Sequence, residues 1–225
     1  MLIAAAVPSG VTATAEAFAD PVDAQLLGDE ADAVRRAASR RRAEFTTGRH
    51  CARTALRALG QPAGAIPRGE RGEPRWPRGV VGSITHCSGY RASAVAHADV
   101  LATIGIDAEV ALPLPERVVA TIASPAERTM LAELADSRPD VAWDRLLFSA
   151  KESVYKAWFP LAWRWLGFGD ADVTIAGDGT LAARILVPGP VARLSGRWVL
   201  GDGLIVTAVA LRCASARSDA GARAG

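Results

Sequence analysis

The chain has 225 residues, with 26 Lys plus Arg against 24 Asp plus Glu and a formal net charge of +2 at neutral pH. Hydrophobic residues make up 50% of it, which excludes a disordered chain and allows one large domain or two small ones with a buried core. A charge so close to zero excludes a chain whose overall basicity drives nucleic-acid binding.

A helix is predicted over residues 29–59, where apolar residues recur at heptad-like spacing and Gly60 provides a stop. We expect any interruption of this helix at residues 46–48, which read Thr-Thr-Gly. Residues 61–79 are rich in Gly, Pro and Arg, a composition that predicts an ordered loop. Strands are then predicted over residues 80–84, 92–98 and 101–107.

The second half of the sequence starts with a proline-spaced loop at residues 112–115. Residues 124–127 read Ser-Pro-Ala-Glu, a capping box with proline at the first helical position, so a helix begins there. A second helix is predicted over residues 140–159 and ends at Pro160. Two β-hairpins follow, with strands over residues 173–175 and 181–187, then 197–200 and 204–211.

This order of elements predicts an α+β chain that is divided into two halves. We expect an N-terminal half over residues 1–103 and a C-terminal half over residues 104–214. A disordered tail is expected over residues 215–225, which are mostly Ala, Gly, Ser and Arg. The sequence itself contains no recognisable internal repeat.

The cysteines Cys51, Cys87 and Cys213 contain no Cys-x-x-Cys pair and supply no disulfide framework. A reducing cytoplasm is therefore the expected location. The apolar segment at residues 2–7 is too short for the core of a signal peptide, and no run of residues approaches the length of a membrane span.

Two carboxylates lie close together at the end of the third predicted strand. Since the side chains of a strand alternate between its faces, Asp107 and Glu109 project to the same side. They repel each other unless a cation lies between them, and Mg²⁺ takes carboxylate and phosphate oxygens as ligands. The pair therefore predicts a metal site, with a solvated turn at a strand end as the ordinary alternative.

The second predicted helix carries a carboxylate between two lysines. At about 100° per residue, four side chains fall within one arc of its surface, namely Lys151, Glu152, Tyr155 and Lys156. A third acidic oxygen donor and two cations complete what a magnesium-dependent reaction on a pyrophosphate requires. Glu152 and Lys156 also form an i,i+4 pair, and such pairs stabilise many helices by about 0.2–0.5 kcal/mol without any further role.

Arginines are the candidate phosphate ligands, because no glycine-rich phosphate loop or dinucleotide fingerprint is present. Arg41, Arg49 and Arg53 lie on the first predicted helix, where the last two share a face. The planar guanidinium fork suits the geometry of phosphate oxygens. Nucleic-acid binding and a solvated helix face are the alternative interpretations of this cluster.

Thr85 and His86 follow a predicted strand, and a histidine in this position can hydrogen-bond or charge-pair with a phosphate. A capped loop histidine is the ordinary alternative. The pairs His50-Cys51 and His86-Cys87 raise a zinc site or a Cys/His nucleophile as rivals. Adjacent residues rarely both reach one metal, the spacing matches no common zinc module and no nucleophile elbow is present, which disfavours both rivals.

Five segments together resemble the Sfp-type 4′-phosphopantetheinyl transferases, in particular the actinobacterial group. They span residues 41–156, about half of the chain, and occur in the order and approximate spacing of that family. The matching segments are Glu44-Phe45-x-x-x-Arg49-x-Cys51-Ala52-Arg53, Gly72-Glu73-Pro74-x-Trp76-Pro77, Gly82-Ser83-Ile84-Thr85-His86-Cys87, Gly105-Ile106-Asp107-x-Glu109 and Phe148-Ser149-x-Lys151-Glu152-Ser153-x-Tyr155-Lys156.

The resemblance implies two similar α+β halves that form a pseudo-dimer, with coenzyme A in the cleft between them. Asp107, Glu109 and Glu152 match the metal carboxylates of the family, with Mg²⁺ expected and Mn²⁺ as the alternative. Glu152 and Lys156 are the expected catalytic residues. The expected coenzyme A contacts are Arg41, Arg49, Arg53, Arg68, Arg71, Thr85, His86, Lys151 and Lys156. The departures from the family pattern are mild, with Arg68 in place of a common Lys and Ser153 in place of a common Ala.

The implied activity transfers the 4′-phosphopantetheine arm of coenzyme A to a serine of an apo acyl or peptidyl carrier protein and releases 3′,5′-ADP. Such carriers serve fatty-acid, polyketide or nonribosomal-peptide synthesis, and the type as a whole leans toward secondary metabolism. We expect a cytoplasmic monomer without nucleic-acid or membrane partners. A noncatalytic coenzyme A-binding protein is the alternative; it predicts a damaged carboxylate set, whereas all three carboxylates are present here.

Overall fold

The structure is a computed structural model that describes residues 1–214, so the tail at residues 215–225, for which the sequence predicts disorder, lies outside the described residues. The helices are α1 (Leu2–Ala6), α2 (Glu30–Ala33), α3 (Ser39–Ala58), α4 (Glu116–Ile122), α5 (Pro125–Ser137) and α6 (Trp143–Ala162). The strands are β1 (Thr12–Ala17), β2 (Val80–Cys87), β3 (Tyr90–His97), β4 (Leu101–Val110), β5 (Ala171–Ile175), β6 (Thr180–Ile185), β7 (Arg193–Gly201) and β8 (Leu204–Arg212). A 3₁₀ turn covers Phe168–Asp170.

The strands form two antiparallel sheets. One is three-stranded in the order β1-β3-β2, and the other is five-stranded in the order β4-β8-β7-β6-β5. Each sheet carries a 20-residue helix, α3 on the smaller sheet and α6 on the larger. This arrangement confirms the predicted α+β class. Within the described residues, no helix has the length and apolar character needed to cross a membrane.

The smaller sheet is covered by α3, which buries small and aliphatic side chains against it. Ala52 and Leu56 of α3 are fully buried together with Val95 of β3 and Ile66 of the following loop. Burial of these apolar groups supplies the main stabilisation of this half. The opposite end of α3 is polar and carries the exposed arginines Arg40, Arg41 and Arg42.

The larger sheet is covered by α6, whose apolar face includes Leu146, Val154 and Trp158. Gly105 of β4 lets this helix approach closely, because a Cβ at that position would collide with the carbonyl oxygen of Ser153. The close approach fixes the distance between β4, which carries Asp107 and Glu109, and α6, which carries Glu152 and Lys156.

The two sheets meet where β2 runs beside β4. Two hydroxyl groups of β2 bridge them: Ser83 Oγ accepts a hydrogen bond from the Ile106 amide at 3.1 Å, and Thr85 Oγ1 accepts one from the Ala108 amide at 2.9 Å. Since β4 begins at Leu101, the boundary proposed between residues 103 and 104 falls inside a strand. The division of the chain into halves stays a prediction.

The helix predicted over residues 29–59 is in fact two helices, and the break lies at residues 34–38 instead of 46–48. Glu30 of α2 is fully buried and pairs with Arg53 of α3. This contact requires α2 to pack back against α3, so the two segments cannot form one continuous helix. Gly48 lies inside α3, where an added Cβ would come within 3.1 Å of Ile84 Cγ2. The glycine therefore serves close packing on β2 and does not end the helix.

The helix predicted to end at Pro160 continues to Ala162. A proline in the last turn removes a single helical hydrogen bond, and Trp163 then ends α6 in the left-handed region at φ 51°. The capping box of α5 is confirmed, with Ser124 as its N-cap, and both hairpins are confirmed. The sequence analysis missed α1, β1 and α4, whose short segments lack a clear apolar period.

Candidate active site

Asp107 is the buried centre of a polar cluster between β4, β2 and α6, and it is only 5% exposed. Its Oδ1 accepts hydrogen bonds from Lys156 Nζ at 2.7 Å and from Thr85 Oγ1 at 3.2 Å. Its Oδ2 is buried and has no hydrogen-bond partner. A buried acceptor without a partner costs free energy, so this oxygen is available for a ligand.

Two further carboxylates lie within electrostatic reach of Asp107. Burial and then the charge of Asp107 raise the pKa of Glu109, although Arg145 donates a hydrogen bond to Glu109 Oε2 at 3.0 Å. Burial also raises the pKa of Glu152, where the positive charge of Lys156 opposes the shift and the negative charge of Asp107 adds to it. For both Glu109 and Glu152, burial disfavours the ionised form and the charge of Asp107 adds to this effect.

This donor set fits a hard divalent cation in its chemistry. The oxygen ligands that Mg²⁺ prefers are present, one of them is the unpartnered Asp107 Oδ2, and the mutual repulsion of the carboxylates is what a bound cation relieves. In their present positions, no three acidic, His or Cys side chains of residues 1–214 converge closely enough to hold a metal ion. The charges of Asp107 and Glu109 are instead balanced by Lys156 and Arg145.

The two lysines of α6 have different surroundings. Lys156 lies in the cluster, where its Nζ also donates to the Ile106 carbonyl at 3.0 Å. Lys151 is 3% exposed and directs its Nζ to Glu127 Oε2 at 2.9 Å, with further hydrogen bonds to two backbone carbonyls, those of Phe168 and Ala171. The structure therefore does not bring Lys151 together with Lys156, and all three donors of its ammonium group are occupied.

The three arginines of α3 that are predicted to contact phosphate also separate. Arg41 is exposed and its Nη1 donates to Nε2 of His86, so these two residues lie together. Arg53 is buried in a bidentate ion pair with Glu30, at 2.9 and 3.0 Å. Arg49 donates its Nε to the Ile66 carbonyl at 2.8 Å, and burial lowers its pKa to about 10. Of the three, Arg41 is the one exposed to a ligand in solution.

The loop after α3 adds further cations. Arg68 and Arg71 are exposed, and the backbone of Arg68 bridges to Pro74, which folds the loop back on itself. Arg71 lines the mouth of a cavity of about 580 Å³ that lies between the two sheets, with Lys156 in its wall. Most of the cavity wall is apolar and includes Trp76, Val81, Ile84, Tyr155, Phe159 and Trp163.

Sequence reasoning missed this aromatic wall and the role of Arg145. Tyr155, Phe159 and Trp163 recur every four residues, and their rings follow one another at centroid distances of 5.9 and 5.5 Å. This spacing is a sequence signal for one helix face, which the polar interpretation of the arc left out. Arg145 gave no such signal, because its pairing with Glu109 depends on how α6 lies against β4.

Two family models match the chain. Residues 29–96 match the 4′-phosphopantetheinyl transferase N-terminal domain, and residues 103–209 match the 4′-phosphopantetheinyl transferase superfamily. Similar proteins include the 4′-phosphopantetheinyl transferase Svp of Streptomyces mobaraensis, 52% identical over 93% of this chain and 89% of that protein. The transferases Npt of Nocardia iowensis and PptT of Mycobacterium tuberculosis are 46% and 45% identical over 93% of this chain, and over 99% and 98% of their own lengths.

Proposed function

The chain belongs to the 4′-phosphopantetheinyl transferase superfamily, and from this premise we propose that it transfers the 4′-phosphopantetheine arm of coenzyme A to a serine of apo carrier proteins. The products are holo-carrier protein and 3′,5′-ADP. The observation that carries the proposal is the unpartnered Asp107 Oδ2, since Lys156, which donates to the other oxygen of Asp107, also lines the apolar cavity. A pyrophosphate next to an apolar arm requires this combination of a charged cluster and an apolar wall.

The carboxylates Asp107, Glu109 and Glu152 would hold a divalent cation, with Mg²⁺ as the expected ion and Mn²⁺ as the alternative. When bound, the cation would neutralise charge on the pyrophosphate oxygens. Lys156, which pairs with Asp107, would turn its ammonium group to the phosphate that departs with 3′,5′-ADP. Lys156 also lines the cavity, which would place it next to the bound arm.

Glu152 is the candidate base for the serine proton. Its raised pKa, caused by burial and by the charge of Asp107 against the opposing charge of Lys156, gives a carboxylate that holds a proton more strongly than an exposed one. Proton acceptance occurs as the serine oxygen attacks the β-phosphate in line with the leaving group. The aromatic residues Tyr155, Phe159 and Trp163 would bind the pantetheine arm and exclude water from it.

The exposed Arg41, Arg68 and Arg71 and the half-buried His86 are the candidate ligands for the 3′-phosphate and the adenine end of coenzyme A. Arg49, Arg53 and Lys151 were predicted to contact coenzyme A as well, and their buried hydrogen bonds support a role in holding the fold. Thr85 supports Asp107 through its hydroxyl group. Coenzyme A is the co-substrate in this account, and the acceptor is an acyl or peptidyl carrier protein. We also propose that the enzyme acts as a monomer in the cytoplasm.

Replacement of the carboxylates tests this assignment. We expect Asp107→Ala and Glu152→Ala to remain folded and to lose transfer, measured by chromatographic separation of apo-carrier from holo-carrier at saturating coenzyme A and Mg²⁺. Glu133→Ala, at an exposed carboxylate of α5, is the matched control and should keep full activity. A fully active, purified Asp107→Ala protein would contradict the metal role proposed for this residue.

A further inference from the structure

Glu44 of α3 is a buried carboxylate that the transfer reaction described above does not use, and it is only 8% exposed. Its Oε1 accepts a hydrogen bond from Arg40 Nε at 3.0 Å. Its Oε2 lies 3.8 Å from Arg41 Nη1 and 3.7 Å from His86 Nδ1. One carboxylate therefore lies close to both Arg41 and His86, two of the candidate anion ligands.

The hydrogen bond between Arg41 and His86 fixes the orientation of the imidazole ring. A guanidinium group only donates, so His86 Nε2 must accept from Arg41, and in the neutral ring the proton then lies on Nδ1. That Nδ1 faces Glu44 Oε2. Glu44 thus supports the ring from behind, and the ring holds the exposed guanidinium of Arg41, whose other N–H groups can donate to an anion.

The charge of Glu44 is maintained by its neighbours. Burial opposes ionisation of Glu44, but the hydrogen bond from Arg40 and the positive charges of His86, Arg40 and Arg41 outweigh it and lower its pKa. For His86, burial and the charge of Arg41 lower the pKa, while the charge of Glu44 raises it. The pKa of His86 is lowered overall, so the neutral ring is favoured, with its Nδ1 proton directed to the ionised Glu44.

The position of this pair on β2 separates it from the carboxylate cluster. Side chains alternate along a strand, and Ile84 faces Gly48 of α3, so His86 lies on the same α3 side. Thr85 faces the opposite way and contacts Asp107. The pair of Arg41 and His86 and the carboxylate cluster therefore lie on different faces of β2. This placement would separate the 3′-phosphate of coenzyme A, which is only bound, from the pyrophosphate, which reacts.

We propose that Glu44 is a positioning residue that orients Arg41 and His86 for the 3′-phosphate of coenzyme A. The inference rests on the proposed function and adds to it the residue that prepares this subsite. The 3′-phosphate is a dianion that remains on the departing 3′,5′-ADP, so its contacts contribute to binding without taking part in bond breaking.

The test compares coenzyme A with 3′-dephospho-coenzyme A, which differs by the 3′-phosphate alone. For Glu44→Gln we expect KM and Kd for coenzyme A to rise about tenfold, with kcat within about twofold of wild type, because a charge-supported phosphate contact is lost. The constants for 3′-dephospho-coenzyme A should not change. Arg57→Ala is the matched control, since it removes an exposed arginine from the far end of α3, and it should leave the affinities for coenzyme A and for 3′-dephospho-coenzyme A unchanged.

Glu44→Asp serves as a second variant if Glu44→Gln does not fold. It should weaken the binding of coenzyme A and leave the binding of 3′-dephospho-coenzyme A unchanged. If a folded variant loses affinity equally for both substrates, or for neither, the role proposed for Glu44 is wrong. The Kd values come from calorimetric titration without a carrier protein, so they decide this point even if wild type fails to modify any carrier. Failure of transfer by wild type would instead count against the proposed function.

Discussion

Lys151 and Lys156 lie on the same helix, about 140° apart around its axis, and have different partners. Lys156 pairs with Asp107 in the candidate site, whereas Lys151 pairs with Glu127 in a cluster that is almost fully buried. Glu127 also accepts hydrogen bonds from the amides of Ser124 and Val173. This single carboxylate therefore joins the start of α5, the start of β5 and the middle of α6.

We expect Lys151→Met to destabilise the protein by about 3–5 kcal/mol, because it leaves the buried charge of Glu127 without its partner. The measurement is the free energy of unfolding from urea titration. The double variant Lys151→Met with Glu127→Gln should recover part of this loss, since the two residues are coupled. An unchanged stability together with a weakened affinity for coenzyme A would instead favour a direct phosphate contact by Lys151.

Asp107 is the residue whose replacement separates metal binding from folding. At 100 times its Kd, Mg²⁺ should stabilise wild type by about 2.7 kcal/mol, since it binds the folded state alone. We expect Asp107→Asn to fold and to lose this gain, because it removes a charge that the unpartnered Oδ2 would bring to the ion. Thermal unfolding of both proteins with and without Mg²⁺ measures this stabilisation. An equal stabilisation of Asp107→Asn by Mg²⁺ would contradict the metal role of Asp107.

Among the elements, the pair of β4 and α6 positions most of the candidate catalytic groups. Gly105 allows their close approach, and the atoms that a Cβ would meet there belong to the backbone of α6, which cannot move aside without shifting the helix. The distance between the carboxylates of β4 and the polar side chains of α6 therefore depends on one glycine.

We expect Gly105→Ala to cost about 3 kcal/mol, at the upper end of the range for overpacking, and to impair transfer in the molecules that remain folded. The reason is displacement of Glu152 and Lys156 from β4. Gly177→Ala is the matched control, because nothing lies within 4 Å of an added Cβ there. Urea unfolding and transfer assays on both variants decide the point; wild-type stability in Gly105→Ala would refute the packing argument.

The elements were predictable from sequence where a local signal was strong. The capping box at Ser124 and the glycine-centred hairpins depend on neighbouring residues, and both are confirmed. The break between α2 and α3 was not predictable, because it follows from the pairing of Glu30 with Arg53. The same limit applies to Lys151, since a helical arc gives the direction of a side chain but does not identify α5 as its neighbour.

At the scale of the whole molecule, the two sheets are joined beside the candidate site through the hydroxyl groups of Ser83 and Thr85. Thr85 has two roles there, because it accepts from the Ala108 amide and donates to Asp107 Oδ1. The contact between the sheets and the orientation of the candidate metal carboxylate therefore depend on the same side chain.

We expect Thr85→Val to destabilise the protein by about 1–3 kcal/mol, because the buried amide of Ala108 loses its acceptor while the shape of the side chain is kept. Thr121→Val, at an exposed residue of α4, is the control and should be close to neutral. The two free energies of unfolding are compared by urea titration. Equal stability of the two variants would show that this hydroxyl does not hold the sheets together.

The sequence motifs of the family are enough to predict that Asp107, Glu109, Glu152 and Lys156 share one region, because these residues lie at fixed positions on β4 and α6. The cavity is not predictable in the same way. It is formed by Trp76 from the loop, by strand β2 and by the aromatic face of α6, so it exists only after the two sheets have come together.

The central claim is that this chain transfers phosphopantetheine with the help of a divalent cation. Intact-protein mass spectrometry of an apo carrier protein, incubated with the chain, coenzyme A and Mg²⁺, tests it most directly. We expect a mass gain of one phosphopantetheine arm that disappears with EDTA. No gain on a panel of apo acyl and peptidyl carriers, with folded protein that binds coenzyme A, would contradict it and favour a noncatalytic coenzyme A-binding protein.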